Sequence, residues 1–265
     1  MQTSTPKVNQ TGLLLANTAS LLFALVMNAL AGSSVFSGKT VGDVSKIYDT
    51  LFAPAGYAFA IWGLIYLLLI LFVGYQWFAW LRHNDDRELQ QTGLWLSLAN
   101  LANGFWIVAW LTESIGISVL LMLVLLISLL VLVVRLRLEI WDAPLRIIVF
   151  VWWPIVIYLG WIVVATVANV AAWLVSMGWH GGFMGASNWT ILLIAAATMI
   201  YVALVWFRNM REAALVGIWA LIAIAVRQWQ THDEIVIVAS IGAVTLFTIV
   251  SWHAYKNRES SPLAH

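Results

Sequence analysis

Apolar residues run in eight long stretches along this chain, and polar residues collect in the gaps between them. The stretches cover roughly 12–33, 57–81, 94–112, 115–135, 145–175, 189–207, 213–229 and 233–255. Leu, Ile, Val and Ala fill both phases of each run, so the alternation that a transmembrane barrel strand needs is absent. A run of about 20 apolar residues matches a hydrocarbon core roughly 30 Å thick. Within lipid each backbone N–H and C=O must find its partner inside the protein, which makes such runs helical. The pattern predicts an all-α integral membrane protein with eight transmembrane helices. The seventh run is short and ends at Arg227, Gln228 and Trp229, whereas the fifth is long enough to tilt or to extend beyond the bilayer.

Composition narrows this further. Hydrophobic residues make up 63% of the chain and charged residues 9%, too little polar surface to cover a soluble globule. Under the eight-span reading, Lys39, Lys46 and Arg227 fall on one side, and the other ten of the 13 Lys and Arg fall on the opposite side. That asymmetry predicts a multi-pass cell-membrane protein with both termini in the cytoplasm. Lys7, the run from Leu13, and Ala29-Leu30-Ala31 imitate a cleavable signal peptide, but the run is longer than usual and carries Asn17, Thr18, Ser20 and Asn28. The expectation is a retained first helix. No cysteine is present, so disulfides and thiolate metal sites are excluded. A net charge of +1 and a pI near 8.1 give no sign of a nucleic-acid partner.

Two connections on the predicted outer side stand out. Segment 34–56 is the longest polar gap, and gaps of that length in a compact bundle are usually lids or binding segments. Segment 176–188 is glycine-rich and reads as a link. The chain thus divides into a five-helix unit over 1–176, three additional helices over 189–256, and a cytoplasmic tail over 257–265. No strong internal repeat is visible, which weakens an inverted-repeat transporter reading.

Of the 17 tryptophans, Trp77, Trp80, Trp141, Trp206 and Trp252 lie near cytoplasmic span ends, and Trp179, Trp189 and Trp229 near outer ends. These form an interfacial aromatic belt. Trp62, Trp106, Trp110 and Trp161 lie deeper. Asn103 shares a helix face with Trp106, and Ala165 and Asn169 follow Trp161 at helical spacing. Amides in lipid turn inward to find partners. On the residues alone, this set is either interhelical glue with bundle filling or the lining of a site.

Three stretches carry a family resemblance. Phe52 to Tyr66 holds Pro54, Gly56, Tyr57, Phe59, Trp62 and Tyr66. Asn103 and Trp106 are followed a turn later by Trp110. Tyr158, Trp161, Ala165 and Asn169 recur along the fifth run. In order and spacing, over about residues 12–176, these resemble the tryptophan-rich sensory protein and translocator protein family. Val164 stands where the family pattern has Phe, and helices six to eight extend beyond the usual five, so the chain resembles a longer, divergent member.

The resemblance implies a five-helix bundle with a ligand cavity beneath the first loop, taking porphyrins, sterol-like molecules or synthetic aromatic compounds. It implies ligand contacts from Tyr57, Phe59, Trp62, Tyr66, Asn103, Trp106, Trp110, Tyr158, Trp161, Ala165 and Asn169. A tetrapyrrole enters as a ligand; no cofactor or metal is called for. The leading expectation is a receptor or translocator-like protein for a hydrophobic planar ligand. Ion-coupled transport usually places ionisable residues inside the bilayer, and here Glu113, Arg227 and Asp233 sit only at span ends. Hydrolytic or metal chemistry needs convergent groups, and His83, His180, His232, His253 and His265 are scattered at membrane edges. Passive passage of an apolar solute and light-dependent porphyrin breakdown stay open as alternatives. The Leu-, Ile- and Val-rich run Val119–Val134 reads as a face toward lipid or toward a second copy in a homodimer.

Overall fold

The computed structural model describes residues 10–31, 33, 35–82, 87–141 and 143–256. Lys7, Ser34, His83, Arg258, His265 and the predicted tail 257–265 lie outside the described residues. Eight long helices follow in order: α1 (Gln10–Ala29), α2 (Ile61–Leu81), α3 (Trp95–Leu111), α4 (Ile115–Arg135), α5 (Trp153–Ser176), α6 (Gly185–Arg208), α7 (Arg211–Gln228) and α8 (Asp233–Lys256). No strand occurs among the described residues.

Six segments are long and apolar enough to cross a membrane: Gln10–Ala29, Gly56–Leu81, Ile115–Arg135, Leu145–Ser176, Gly182–Arg208 and Asp233–Lys256. The two remaining predicted spans fall short for different reasons. α3 is apolar but has 17 residues, about 25 Å of helix against a core of roughly 30 Å. α7 has 18 residues with Arg211, Glu212 and Arg227 at its ends. Most of the side chains on both helices are buried against protein, so their composition is set by neighbouring helices more than by lipid.

The fifth run is one apolar segment with a defect in it. Leu145–Ile147 is helical, Ile148–Trp152 forms a π turn, and α5 then continues with Pro154 in its first turn. Proline has no N–H, and its ring crowds the carbonyl four residues back, here that of Phe150. The widened turn absorbs that conflict without ending the helix.

The first five helices close into a ring: α1 packs on α3, α3 on α4, α4 on α5, α5 on α2, and α2 on α1. Gly104 lets α1 approach α3, since a Cβ there would fall 2.4 Å from the Phe23 ring. Toward the arginine-rich end, Asn17 donates to Gln76 (3.2 Å) and accepts from Ser97 (2.7 Å), tying α1 to α2 and α3 with amide and hydroxyl groups. On α4, Met122, Leu125, Leu129 and Leu132 are buried, while Ile117, Leu120, Ile127 and Val134 are exposed, so only one face of that greasy helix turns outward.

α7 docks on the outside of this ring against α5 and packs on α6 and α8, and α6 also touches α5 directly. Gly160 of α5 makes the close approach: a Cβ at that position would lie 2.9 Å from Ala213 Cα. The Tyr201 hydroxyl on α6 donates to the Gly160 carbonyl at 2.7 Å. α7 is therefore packed on several sides, where its alanines and Gly217 allow close approach, while Leu215, Trp219, Ile222 and Val226 form an exposed stripe.

Candidate functional site

Helices α2, α3 and α5 turn a group of aromatic rings toward one another beneath the first connection. Trp62 sits at the centre. Its ring stacks on Tyr66 (5.6 Å between centroids, 23° between planes) and lies 6.0 Å from both Trp106 and Tyr158 and 6.4 Å from Trp161. Trp106 stacks on Trp110 one turn along α3 at 5.8 Å, and Phe59 meets Trp161 edge-on at 6.1 Å. Offset and edge-to-face contacts of this kind suit the ring quadrupoles and hold the set rigid.

Polar groups fix the rings from behind. The Tyr66 hydroxyl donates to Asn103 Oδ1 at 2.8 Å, joining α2 to α3. Trp106 Nε1 donates to Asn169 Oδ1 at 2.8 Å, and Asn169 Nδ2 donates to Ser118 Oγ at 2.8 Å, joining α3, α5 and α4. Three buried donors have no partner among the described residues: Asn103 Nδ2, the Tyr158 hydroxyl and Trp161 Nε1. An unpaired buried donor costs roughly 1–3 kcal/mol, which makes this cluster a place where an acceptor atom would be stabilised.

The space enclosed is small. A cavity of about 40 Å³ lies among Phe59, Trp62, Trp106, Trp110, Trp161, Ala165 and Asn169. One water needs about 10–15 Å³, and small-molecule sites run from roughly 300 to 1,000 Å³. The rings thus fill most of their own box, and a tetrapyrrole enters only if the covering segment moves. No ionised side chain lines the cavity among the described residues.

The cover is the connection after α1. Thr40 caps a short helix, Val41–Ile47, in a reciprocal pairing with Asp43. Trp110 Nε1 donates to the Val41 carbonyl at 3.1 Å, so one indole of the box also ties down its lid. Lys39 pairs with Glu113, and the Tyr48 hydroxyl donates to the same carboxylate at 3.1 Å. These hydrogen bonds, from Lys39 first and Tyr48 second, hold the Glu113 carboxyl below its ordinary range.

Ten of the eleven residues expected at the site come together here, but not in one layer. Phe59, Trp62, Trp106, Trp110, Trp161, Ala165 and Asn169 line the cavity, whereas Tyr66, Asn103 and Tyr158 lie behind Trp62 as its support. Tyr57 does not join them. Its side chain is 43% exposed and meets Trp219 of α7 edge-on at 5.2 Å. Lid residues Val41, Ser45, Tyr48 and Thr50, together with Ala168 and Ala172, also line the cavity and escaped the sequence reading. The alanines could have been found by extending the Ala165–Asn169 stripe along the helix face. Nothing in the sequence of a polar loop marks which of its residues point inward.

The family model described as TSPO-like protein matches residues 14–252. The match runs past the 12–176 stretch that carries the resemblance in the motifs and takes in α6, α7 and most of α8. No curated protein and no solved structure matches the chain.

Proposed function

Because the chain belongs to the TSPO-like protein family, we propose that it binds a hydrophobic planar ligand, a porphyrin or a sterol-like molecule, in the box between α2, α3 and α5. The single observation that supports this most is an aromatic enclosure with no ionised lining residue among the described residues, in which the wall residue Trp161 carries an unpartnered N–H. Indole faces supply apolar area and stacking to a flat ring system, and a few polar groups suffice to fix the orientation of such a ligand. The present 40 Å³ cavity is then the closed form of the site, and loading requires the lid to lift. In this reading all eight long helices are embedded, α3 and α7 as protein-covered spans. The lid lies on the extracytoplasmic side and both termini in the cytoplasm. The protein senses or carries its ligand; its uncharged interior favours neither ion coupling nor acid–base catalysis.

The test is a titration of purified protein with protoporphyrin, followed by tryptophan fluorescence. Saturable quenching is expected, weakened in Trp161→Phe and in Asn103→Ala. Quenching that survives both substitutions unchanged would remove the box from consideration.

A further inference from the structure

A second cavity lies on the other side of the lid. It has a volume of about 250 Å³ and opens between the lid, the end of α5 and the start of α6. That approaches the lower end, roughly 300 Å³, of small-molecule sites. Trp179 and Trp189, edge-to-face at 5.0 Å, form one wall, and Val175, Leu193 and Phe52 add apolar surface. The Trp189 Nε1 donor is buried without a partner among the described residues.

The two spaces adjoin along the loop before α2 and along α5, where Ala168 and Ala172 line the inner box and Ala171 and Val175 the outer chamber. Asp49, Thr50, Leu51 and Phe52 line the outer chamber, and Thr50, Ala53 and Pro54 line the inner box, so Thr50 faces both. This segment is seated by the buried side chains of Phe52 and Ala53, and its polar fastenings come from α7. Arg227 donates to the Asp49 carboxylate at 2.6 Å and to the Pro54 carbonyl at 3.3 Å. Gln228 donates to the Leu51 carbonyl at 3.0 Å, and the Ala55 N–H donates to the Ala223 carbonyl at 3.0 Å. The ion pair is partly exposed and worth little by itself, so the polar fastening is the part of this seat that can release.

We propose that the outer chamber is an entry subsite for the same planar apolar ligand, and that residues 49–55 are the gate between it and the inner box, with Arg227 as the latch. The proposal rests on the reading of the inner box given above. It accounts for two facts together: the inner cavity is too small to admit such a ligand directly, and the larger aromatic chamber shares Thr50 of this latched segment with it. Arg227 acts as a positioning residue, through the backbone of the gate.

The chain contains no cysteine, so Ala55→Cys with Ala223→Cys gives a clean pair with which to close the gate in the full-length protein in lipid nanodiscs. The probe is protoporphyrin, followed by its own fluorescence in stopped flow. Oxidation of the pair is expected to slow association by roughly tenfold or more, and reduction to restore it. Arg227→Gln should speed association and dissociation together, leaving Kd nearly unchanged. Trp179→Ala should slow association with the same final amplitude. Equal rates in the oxidised and reduced pair, in a protein that does bind, overturn the gate while the inner site stands. An unchanged association rate in Trp179→Ala overturns the entry subsite. If the wild-type protein fails to bind the probe, the inner-box reading falls. Amide exchange then decides the latch, because Arg227→Gln must still raise exchange at Ala53 and Ala55, and unchanged protection there refutes it.

Discussion

Trp106 and Asn169, on helices α3 and α5, are joined by a 2.8 Å hydrogen bond from the indole N–H to the amide oxygen, and the same amide donates onward to Ser118 on α4. One side chain thus binds three helices around the aromatic box. Replacing it with Leu leaves the indole donor unpaired in a buried setting, while the Ser118 hydroxyl loses one bond and keeps its 2.7 Å bond to the Ile115 carbonyl. Lost pairings cost about 1–3 kcal/mol in proteins generally, although pairs within membranes average nearer 0.6. Because two bonds are lost at once, Asn169→Leu should destabilise by about 1–2 kcal/mol, read as a lower thermal midpoint in detergent. A midpoint equal to wild type would mean that Trp106 finds another acceptor.

Gly160 is where α5 and α7 touch, with the Ala213 backbone 2.9 Å from any added Cβ. Backbone cannot swing aside as a long side chain does. Gly160→Leu should therefore separate the α6–α8 layer from the ring, with an overpacking cost of roughly 1–3 kcal/mol or more. Limited proteolysis in the 177–184 connection should become faster. A variant cleaved at the wild-type rate would argue against this contact as the main seam.

Glu139, in the connection after α4, has its carboxyl pushed up to about 8 by burial first and by Glu212 second, with Arg211 opposing. The folded form therefore holds a proton that the unfolded chain releases near 4.5. This contribution to stability is complete below that value and is lost as pH rises through about 8. Thermal midpoints of wild type and Glu139→Gln should diverge as pH rises from about 4.5 to about 8, with wild type falling further, and run parallel above that. Parallel curves across that range would show the carboxyl to be ionised already in the folded protein.

Glu113 shows the opposite sign. Held below its ordinary range by Lys39 and Tyr48, it stabilises the lid above the usual carboxylate range, and that contribution fades as pH falls through its folded value. The pair is partly exposed, so Glu113→Gln should change global stability by less than about 1 kcal/mol. Its effect should be local, raising amide exchange along Val41–Ile47 while exchange in α3 stays constant. Equal exchange in variant and wild type would show that the Trp110 bond to Val41 carries the lid alone.

The helices were legible because lipid imposes length and apolarity on any crossing segment, and the deep tryptophans because helical spacing put them on shared faces. What escaped the sequence has a common cause. The partners of Asn103 and Asn169 are Tyr66, Trp106 and Ser118, on other helices, and spacing within a helix carries no information about which neighbour faces it. Arg227 read as a span end, since a cation near the interface is ordinary; its grip on Asp49 and Pro54 depends on a loop far away in the chain. Tyr57 belonged to a motif yet points to Trp219, because the 3-10 turn Gly56–Ala60 directs it toward α7. The small size of the cavity was also invisible, as composition tells which rings are present and not how closely they fill the space.

The latch has a consequence for biogenesis. Asp49, Leu51 and Pro54 leave the ribosome well over a hundred residues ahead of the side chains that grip them, at sequence separations of 178, 177 and 173. The first five helices can insert and assemble while α7 is still being translated, so the nascent chamber passes through a stage with its door unfastened. On the gate proposed above, loading during synthesis is open to the ligand until Arg227 and Gln228 have emerged to fasten it.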